Sequence, residues 1–338
     1  MLIVASCLSE GGRVSLPAGA ADPGPDPVVL AAGDVAQCND VGDEATANLV
    51  KPYLEAHANA TVAMLGDGAY PFGSSANYRD CYGPTWGQFK DRTHPATGNH
   101  EYEGKGQERA GPYFDYWGSA AGPRPQGYYS YDLGVWHVVV INSTCGESSG
   151  LDGCDAGSSM GRWLEDDLSK TPAQCILAYW HHPVFYSMTL ARGQVEKNPP
   201  VLANDDTKLA PLWKILEAHG VDAVVAGHHH VYERFARQTL TDTKNGQNHG
   251  APDDVNGIRE IVVGTGGGVH EYFERDAAGN ERADRAAPNS EKRIEGVWGV
   301  LELTLHPATY DWRFLSAGTG TQGAGEVLDS GNSPCRAP

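Results

Sequence analysis

Three consecutive histidines at the end of an apolar run constrain the fold of this chain more than any other feature. The run Val221–Ala226 is typical of a buried strand, and Gly227 separates it from His228, His229 and His230. Because residues two apart in an extended segment face the same way, His228 and His230 can reach one point while His229 faces elsewhere. Two converging imidazoles suit a transition metal of intermediate softness. The segment therefore predicts a metal site at the end of a strand, and the alternative is an ordinary polar loop.

Two further apolar runs end in an aspartate that follows a glycine. Val28–Ala32 leads to Asp34 and Thr61–Leu65 leads to Asp67, while apolar residues at helical spacing predict a helix over 45–58 between them. Strand, helix and strand in this order are typical of a βαβ unit, in which ligands bind outside the carboxyl ends of the strands. One Gly-Asp pair after a strand is a common turn, whereas two on successive strands indicate a site at that edge.

Residues with the chemistry of metal ligands follow other predicted strands as well. Asn99 and His100 lie in a Gly-Asn-His-Glu segment, and His181 and His182 follow the apolar run Cys175–Trp180. Further strands are predicted at 128–131, 135–141, 258–263, 297–305 and 309–315, with helices at 161–168 and 209–218. Residues 271–296 are polar and charged, which predicts a surface loop. Strands and helices mixed in this way predict one α/β domain with α+β character.

The composition narrows the class of partner. With 338 residues the chain can bury a core large enough for it to fold without disulfides or structural metals. Its net charge of −18, from 25 basic and 43 acidic residues, repels nucleic acid polymers and anionic membranes. No apolar run is long enough to span a bilayer, so no transmembrane segment is expected. The oligomeric state is left open by the sequence.

The seven cysteines favour an oxidising compartment. None forms a Cys-x-x-Cys pair, which argues against a zinc ribbon or a thioredoxin-type site. Cys145 and Cys154 bracket a short loop that a disulfide would close easily. Cys38 with Cys81 and Cys175 with Cys335 are plausible pairs, but the sequence alone does not determine this connectivity. The alternative is a set of buried free thiols.

Residues 1–27 are expected to form a leader. Residues 9–27 are rich in Gly, Pro, Ala and Ser without periodicity, which predicts disorder. The segment Val4–Cys7 resembles the lipobox of bacterial lipoproteins, which would make Cys7 a lipid attachment point. The alternative is the tail of a signal peptide. Both interpretations predict a protein that is secreted or lies at the cell surface or in the periplasm.

Taken in order, the motifs resemble those of the calcineurin-like metallophosphoesterases. The first motif of that superfamily is usually Asp-x-His, whereas this chain has Asp34-Val35-Ala36. The second motif places Tyr70 three residues after Asp67, an exchange that marks the purple acid phosphatase branch. The other blocks that agree are Gly98–Glu101, His181-x-Pro183 and Gly227–Arg234. The resemblance covers residues 28–316 and implies a four-layer α/β/β/α sandwich as the catalytic domain. A C-terminal tail that a disulfide tethers is expected at 317–338.

The resemblance implies metal-binding roles for seven residues. It places one metal on Asp34, Tyr70 and His230, a second on Asn99, His181 and His228, and Asp67 as the bridge between them. Phenolate and carboxylate oxygens favour Fe(III), whereas two imidazoles and an amide suit a divalent ion such as Zn, Mn or Fe(II). The alternative for Tyr70 is a core aromatic beside two divalent metals.

The activity that the resemblance implies is that of an exported dinuclear-metal phosphatase. A metal-bound hydroxide would attack a phosphomonoester, with Asp67 and His100 as the catalytic residues. His100 would protonate the departing alkoxide or steady the phosphate oxygens, and His182 would bind substrate or cap its turn. The close alternative is a phosphodiesterase or nucleotidase that uses the same metal pair. The alternative from another class is a non-catalytic secreted protein that binds phosphate or a partner.

Overall fold

The computed structural model describes residues 25–104, 109–146, 149–187, 189–191, 207–244, 247–276, 278–318 and 322–336. Almost all of the expected leader, with Cys7, lies outside the described residues, so the lipobox stays a prediction. Among the described residues, no helix is both long enough and apolar enough to cross a membrane.

The described part of the chain alternates strands with a few helices. The α-helices are Gly42–Ala56 (α1), Ser75–Asn77 (α2), Gly111–Trp117 (α3), Ser159–Lys170 (α4) and Ala210–Ala218 (α5). Other helical turns span Tyr78–Tyr82, Trp86–Arg92, Gly118–Ala121 and Ala283–Arg285. The strands are Val28–Ala32 (β1), Ala36–Gln37 (β2), Ala60–Leu65 (β3), Ala69–Tyr70 (β4), Thr93–Ala96 (β5), Tyr129–Leu133 (β6), Trp136–Val140 (β7), Cys175–Tyr179 (β8), Thr189–Ala191 (β9), Ala223–Ala226 (β10), Tyr232–Phe235 (β11), Gln238–Lys244 (β12), Gln247–Pro252 (β13), Arg259–Val263 (β14), Glu271–Phe273 (β15), Ser290–Ile294 (β16), Gly299–Leu305 (β17), Thr309–Ala317 (β18) and Ala324–Pro334 (β19).

Two large sheets carry the fold. The first has six strands in the order β19-β18-β17-β1-β3-β5, and the second has seven in the order β16-β11-β14-β10-β8-β7-β6. Strands β1, β3 and β5 run parallel, and so do β7, β8, β10 and β14. Because parallel strands direct their carboxyl ends to the same edge, the segments that follow these strands are brought close together. Antiparallel strands complete both edges of the second sheet and one edge of the first, whose other edge is the parallel strand β5.

Alternation along the buried strands divides the apolar core into two parts. Val138 and Val140 of β7 belong to the cluster that includes residues of the first sheet. Val139, which points to the opposite face, belongs to the cluster that includes Leu164 of α4 and Trp213 of α5. Helix α1 packs in turn on β17 and β3 of the first sheet. The order helix, sheet, sheet, helix confirms the predicted mixed α/β sandwich.

The C-terminal segment differs from the tail predicted at 317–338. Ala324–Pro334 forms β19, which pairs antiparallel with β18 and extends the first sheet. Its residues are mostly polar and exposed, because an edge strand has a neighbour on one side only, and it therefore lacks the apolar pattern of a core strand. Cys335 just beyond it forms a disulfide with Cys175, a pairing that the sequence left open. The disulfides Cys38–Cys81 and Cys145–Cys154 are also present.

Two local predictions need correction. The polar region 271–296, expected to be a surface loop, contains β15 and β16, and β16 pairs with β11 in the second sheet. Helix α1 continues through Pro52, where the sequence predicts a kink or a break. A proline inside a helix removes one backbone hydrogen bond, and the burial of Val50 and Leu54 on either side offsets that loss.

Candidate metal centre

The ends of four parallel strands bring polar side chains to one place. Asp34 follows β1, Asp67 follows β3, His181 follows β8 and His228 follows β10. Asp34, Asp67 and His228 have backbone φ angles of 59°, 47° and 72°, in the left-handed region that is unfavourable for residues other than glycine. Backbone strain of this kind persists where the surrounding structure holds it, and it concentrates at functional sites.

The first group of donors consists of Asp34, Tyr70 and His230. The Tyr70 hydroxyl oxygen lies 2.8 Å from Asp34 Oδ1 and 3.0 Å from His230 Nε2. His230 Nε2 in turn lies 3.2 Å from Asp34 Oδ1. Three atoms with lone pairs therefore surround one point, two of them oxygens.

The second group consists of Asn99, His181 and His228. His181 Nε2 lies 3.0 Å from the amide oxygen of Asn99 and 3.2 Å from His228 Nδ1. This group therefore offers two imidazole nitrogens and one neutral oxygen.

Asp67 lies between the two groups. Its Oδ2 is 3.3 Å from the Tyr70 hydroxyl and 3.1 Å from His181 Nε2, so one carboxylate contacts a member of each. Asp67 itself is buried, as are Asp34 and His181. The structure thus brings together all seven side chains that the sequence singles out as metal ligands.

Backbone carbonyls fix which nitrogen of two imidazoles faces the centre. His181 Nδ1 lies 2.9 Å from the Leu65 carbonyl oxygen, and His230 Nδ1 contacts the carbonyl of Val269. A nitrogen beside a carbonyl must carry the hydrogen, so Nε2 of each ring presents its lone pair to the other donors. This is the tautomer that binds a metal ion, and the donor set fits a pair of cations.

The charges of the centre are strongly coupled. Burial raises the pKa of Asp34, but His230 and His181 reverse this effect and hold the pKa well below its usual range. Burial lowers the pKa of His230, whereas the charge of Asp34 raises it, to a net value of about 9. His181 also reaches a pKa of about 9 against its burial, because Asp67 and Asp34 favour its charged form. The ionised carboxylates therefore attract positive charge, as protons on the imidazoles or as cations in their place.

His100 lies at the edge of the centre and stays partly exposed. Its backbone N–H donates to Asp67 Oδ1 at 2.9 Å, and its Nδ1 lies 2.7 Å from the carbonyl oxygen of Pro71. The other ring nitrogen, Nε2, lies 3.8 Å from Asp67 Oδ2. The ring is therefore anchored on one side and directs Nε2 toward the donors.

His182 is buried beside the second group. Its Nδ1 lies 2.9 Å from the hydroxyl oxygen of Ser143, and its ring centroid lies 4.5 Å from that of His228. Ser143 is also fully buried and follows β7, the strand next to β8. Sequence reasoning missed Ser143, although a polar residue directly after an apolar strand is the same signal that points to Asp34 and Asp67.

Glu101 is a second residue whose role sequence reasoning missed. Its buried carboxylate accepts hydrogen bonds from the backbone N–H groups of Asp67 at 3.1 Å, Gly68 at 3.0 Å and Gly98 at 2.7 Å, and from the Tyr78 hydroxyl at 3.0 Å. It thus joins the loop that carries Asp67 to the loop that carries Asn99. The two loops approach so closely that a Cβ at Gly98 would lie 2.1 Å from Asp67 Oδ1. The only signal in the sequence is an acidic residue within the Gly-Asn-His-Glu segment.

A family comparison agrees with this arrangement. The calcineurin-like phosphoesterase family model matches residues 19–232, which is more than half of the chain. The chain belongs to the calcineurin-like phosphoesterase family. The fold described above is the fold expected of a member.

Within the family, the chain is similar to purple acid phosphatases. It is 26% identical over 179 residues to probable purple acid phosphatase 20 of Arabidopsis thaliana, covering 48% of this chain and 38% of that protein. It is 27% identical over 143 residues to purple acid phosphatase 18 of the same plant, covering 41% of this chain and 26% of that protein. The chain thus spans well under half the length of these relatives. The similarity confirms the predicted branch.

Solved structures share the fold. Purple acid phosphatase PPD1 from yellow lupin (Lupinus luteus) seeds superposes with a TM-score of 0.64 at 19% identity, covering 90% of this chain and 53% of that one. GAP50 of Plasmodium, described as the anchor in the inner membrane complex, superposes with a TM-score of 0.57 at 12% identity, covering 93% of this chain and 90% of that one. At these identities the likeness concerns the fold alone, so activity must be argued from the site.

Proposed function

We propose that the chain is a dinuclear-metal phosphatase that hydrolyses phosphomonoesters. The observation that carries the proposal is the division of the seven side chains into two groups that share Asp67. Asp34, Tyr70 and His230 would hold one ion, and Asn99, His181 and His228 would hold the other. When bound, such a pair of ions supplies Lewis acidity toward phosphate oxygens and lowers the pKa of water.

We propose Fe(III) in the first group and Zn, Mn or Fe(II) in the second. Carboxylate and phenolate oxygens suit a trivalent ion, whereas imidazole nitrogens suit a divalent one. Burial, together with the charges of Asp34 and Asp67, raises the pKa of Tyr70 well above its ordinary value. Binding of Tyr70 as a phenolate would therefore require a strong Lewis acid beside it, as the proposed Fe(III) is.

Two histidines of the chain would then donate the proton and bind the substrate. His100 would hold a proton on Nε2 and donate it to the departing alkoxide, because its Nδ1 is anchored to the Pro71 carbonyl. His182 would face the phosphate beside the second ion, with the Ser143 hydroxyl holding the ring in place. The acidic surface and the small centre are consistent with a small phosphoester rather than a nucleic acid polymer.

A substrate panel tests the proposal. The purified chain, loaded with iron and zinc, would be assayed with p-nitrophenyl phosphate, bis-p-nitrophenyl phosphate and nucleotides, with kcat and KM measured for each. We expect the highest kcat/KM for the monoester. A preference for the diester or for nucleotides would instead establish the alternative of a phosphodiesterase or nucleotidase on the same centre.

A non-catalytic role is the candidate from another class, and GAP50, which shares the fold, is described as an anchor. The complete donor set argues for turnover, because a binding protein has little need of two metal groups and of His100 beside them. Metal-loaded protein that hydrolyses none of the esters in the panel, yet binds inorganic phosphate in a calorimeter, would establish the binding role.

We also propose that the chain is exported. Three disulfides are present among the described residues, and disulfides persist in oxidising compartments. Fractionation of cells that express the full sequence, followed by mass spectrometry of residues 1–27, tests this together with the expected lipid on Cys7. Recovery of the whole chain from the cytosol with free thiols would contradict it.

A further inference from the structure

Glu103 lies at the surface beside the centre, and none of the roles above involves it. The Glu103 side chain is 47% exposed. Its Oε1 accepts a hydrogen bond from Asn99 Nδ2 at 2.8 Å, and its Oε2 lies 3.2 Å from His100 Nδ1. One carboxylate therefore contacts the side chains of two neighbouring residues that both face the donors.

The contact with Asn99 determines which way its amide points. A primary amide has almost the same shape when its oxygen and nitrogen are exchanged, so packing alone distinguishes the two orientations poorly. An ionised carboxylate only accepts hydrogen bonds, so it holds the NH2 group of Asn99 toward Glu103. The amide oxygen then faces His181 Nε2 at 3.0 Å. In the opposite orientation, N–H groups would face the point where an ion is expected.

The contact with His100 determines the tautomer of its ring. Nδ1 has two acceptors beside it, the Pro71 carbonyl at 2.7 Å and the Glu103 carboxylate. Nδ1 must therefore carry a hydrogen, whether or not the ring is charged. The proton that His100 can exchange is then the one on Nε2, the nitrogen that faces Asp67.

We infer that Glu103 is a positioning residue, which directs the amide oxygen of Asn99 toward the second ion and Nε2 of His100 toward the leaving group. This inference rests on the proposed function. Glu103 acts through its two neighbours and does not contact the substrate. Outer contacts of this kind tune metal sites, and their loss typically costs about tenfold to a hundredfold in metal affinity or activity.

An ordinary exposed glutamate would behave differently from a positioning residue. Exposed carboxylates contribute little to stability, so the loss of Glu103 leaves the fold intact. A matched control is Glu165 on α4, whose carboxylate lies 2.9 Å from His219 Nε2 and whose side chain is 58% exposed. The pair Glu165–His219 has the same chemistry as the contact of Glu103 with His100, but neither of its members belongs to the centre.

The experiment compares Glu103→Ala, Glu103→Gln and Glu165→Gln with the unchanged chain. Zn²⁺ is titrated into each metal-free protein in a calorimeter, and melting temperatures are recorded in parallel. We expect two zinc ions per chain in every protein, with one of them bound about tenfold more weakly in Glu103→Ala. Glu103→Gln lies between, because a glutamine oxygen still accepts from Asn99 but carries no charge. Glu165→Gln keeps both affinities.

A kinetic comparison at saturating Zn²⁺ isolates the effect on His100. A good leaving group such as p-nitrophenolate needs little protonation, whereas an alkoxide depends on a general acid. We expect Glu103→Ala to lower kcat for glycerol 2-phosphate about tenfold and for p-nitrophenyl phosphate no more than about threefold. A residue with a purely structural role would lower both rates equally.

The results of these two experiments distinguish failure of the inference from failure of the proposed function. Unchanged zinc affinities in Glu103→Ala, together with equal kcat losses for the two esters, overturn the inference while the proposed function stands. Wild-type protein that binds no zinc and hydrolyses neither ester overturns the proposed function instead. If Glu103→Ala also lowers the melting temperature of the metal-free protein, the comparison is made with Glu103→Gln instead. Zinc affinities and kcat values equal to those of the unchanged chain in Glu103→Gln would then overturn the inference.

Discussion

The two groups of donors that share Asp67 differ in the atoms they offer and in how those atoms are held. In the first group, Asp34 and Tyr70 offer oxygens that are 2.8 Å apart, and His230 offers the single nitrogen. In the second, the nitrogens of His181 and His228 predominate. The proposal of two unlike ions rests on this difference, because oxygen-rich and nitrogen-rich groups favour different metals.

The two groups also differ in their supports. In the first group, His230 is held by the Val269 carbonyl and by Glu271, whose carboxylate accepts from the His230 backbone N–H at 3.1 Å. In the second group, two carboxylates support Asn99, because Glu101 fixes the loop that carries it and Glu103 contacts its amide. Substitution of Glu101 or Glu103 should therefore lower the metal affinity of the second group more than that of the first.

The largest effect is expected where the two groups meet. Asp67→Asn replaces the shared carboxylate by a neutral amide of nearly the same shape, so both groups lose the negative charge of Asp67. We expect kcat/KM for p-nitrophenyl phosphate to fall by about a hundredfold or more, with weaker binding of both ions. Steady-state kinetics and metal analysis after dialysis measure this. Full activity in this variant would show that the groups work independently.

Substitution of one histidine in each group tests whether each group holds its own ion. His228→Ala should release mainly the divalent ion and His230→Ala mainly the trivalent one, each with a loss of affinity of about tenfold to a hundredfold. Elemental analysis of the two variants, prepared in parallel from the same iron and zinc mixture, gives the ratio of the metals. Equal loss of both metals from both variants would contradict the assignment of one ion to each group.

A change at Glu101 tests the unequal support of the groups. In Glu101→Gln, at least one backbone N–H loses its acceptor in either amide orientation, which costs about 1–3 kcal/mol of folding free energy. We expect the affinity of the second group for Zn²⁺ to fall about tenfold and that of the first group to fall less. Denaturant melts and zinc titration measure the two effects.

The matched control for Glu101 is Asp222, which is also fully buried. Its carboxylate accepts from the backbone N–H groups of Ile176 at 2.9 Å and Arg336 at 2.6 Å, near the amino ends of β8 and β10, whereas His181 and His228 follow the carboxyl ends of these strands. Asp222→Asn should therefore lose similar stability and keep its zinc affinities. Equal zinc binding in the two variants would mean that Glu101 supports the fold alone.

The smallest effect on turnover is expected at Tyr70. Tyr70→Phe removes one oxygen from the first group and leaves Asp34 and His230 in place, so we expect kcat to fall by no more than about tenfold. If the first group holds Fe(III), the visible absorption band from phenolate to iron disappears in this variant. Wild-type protein that binds two metals yet stays colourless after loading with iron would leave Tyr70 as a core aromatic.

Much of the arrangement could be predicted from sequence because it depends on local rules. Apolar runs such as Val28–Ala32 must be buried, and the polar residue that ends each run must then lie at a sheet edge. The edge strands β16 and β19 could not be predicted in this way. Their residues are polar and partly exposed, so they carry no apolar periodicity, and only hydrogen bonds to β11 and β18 define them as strands.

By itself, the sequence determined which side chains are available to bind metal ions, because their spacing after buried strands reflects the requirements of the sheets. Tertiary structure alone decided how closely these side chains approach one another around Asp67 and which residues support them. Glu101 reaches the backbone of Asp67 only after β3 and β5 have paired, and Ser143 reaches His182 only after β7 and β8 have paired. A hydrogen bond requires atoms about 3 Å apart, and side-chain order along a chain does not specify distances between remote loops.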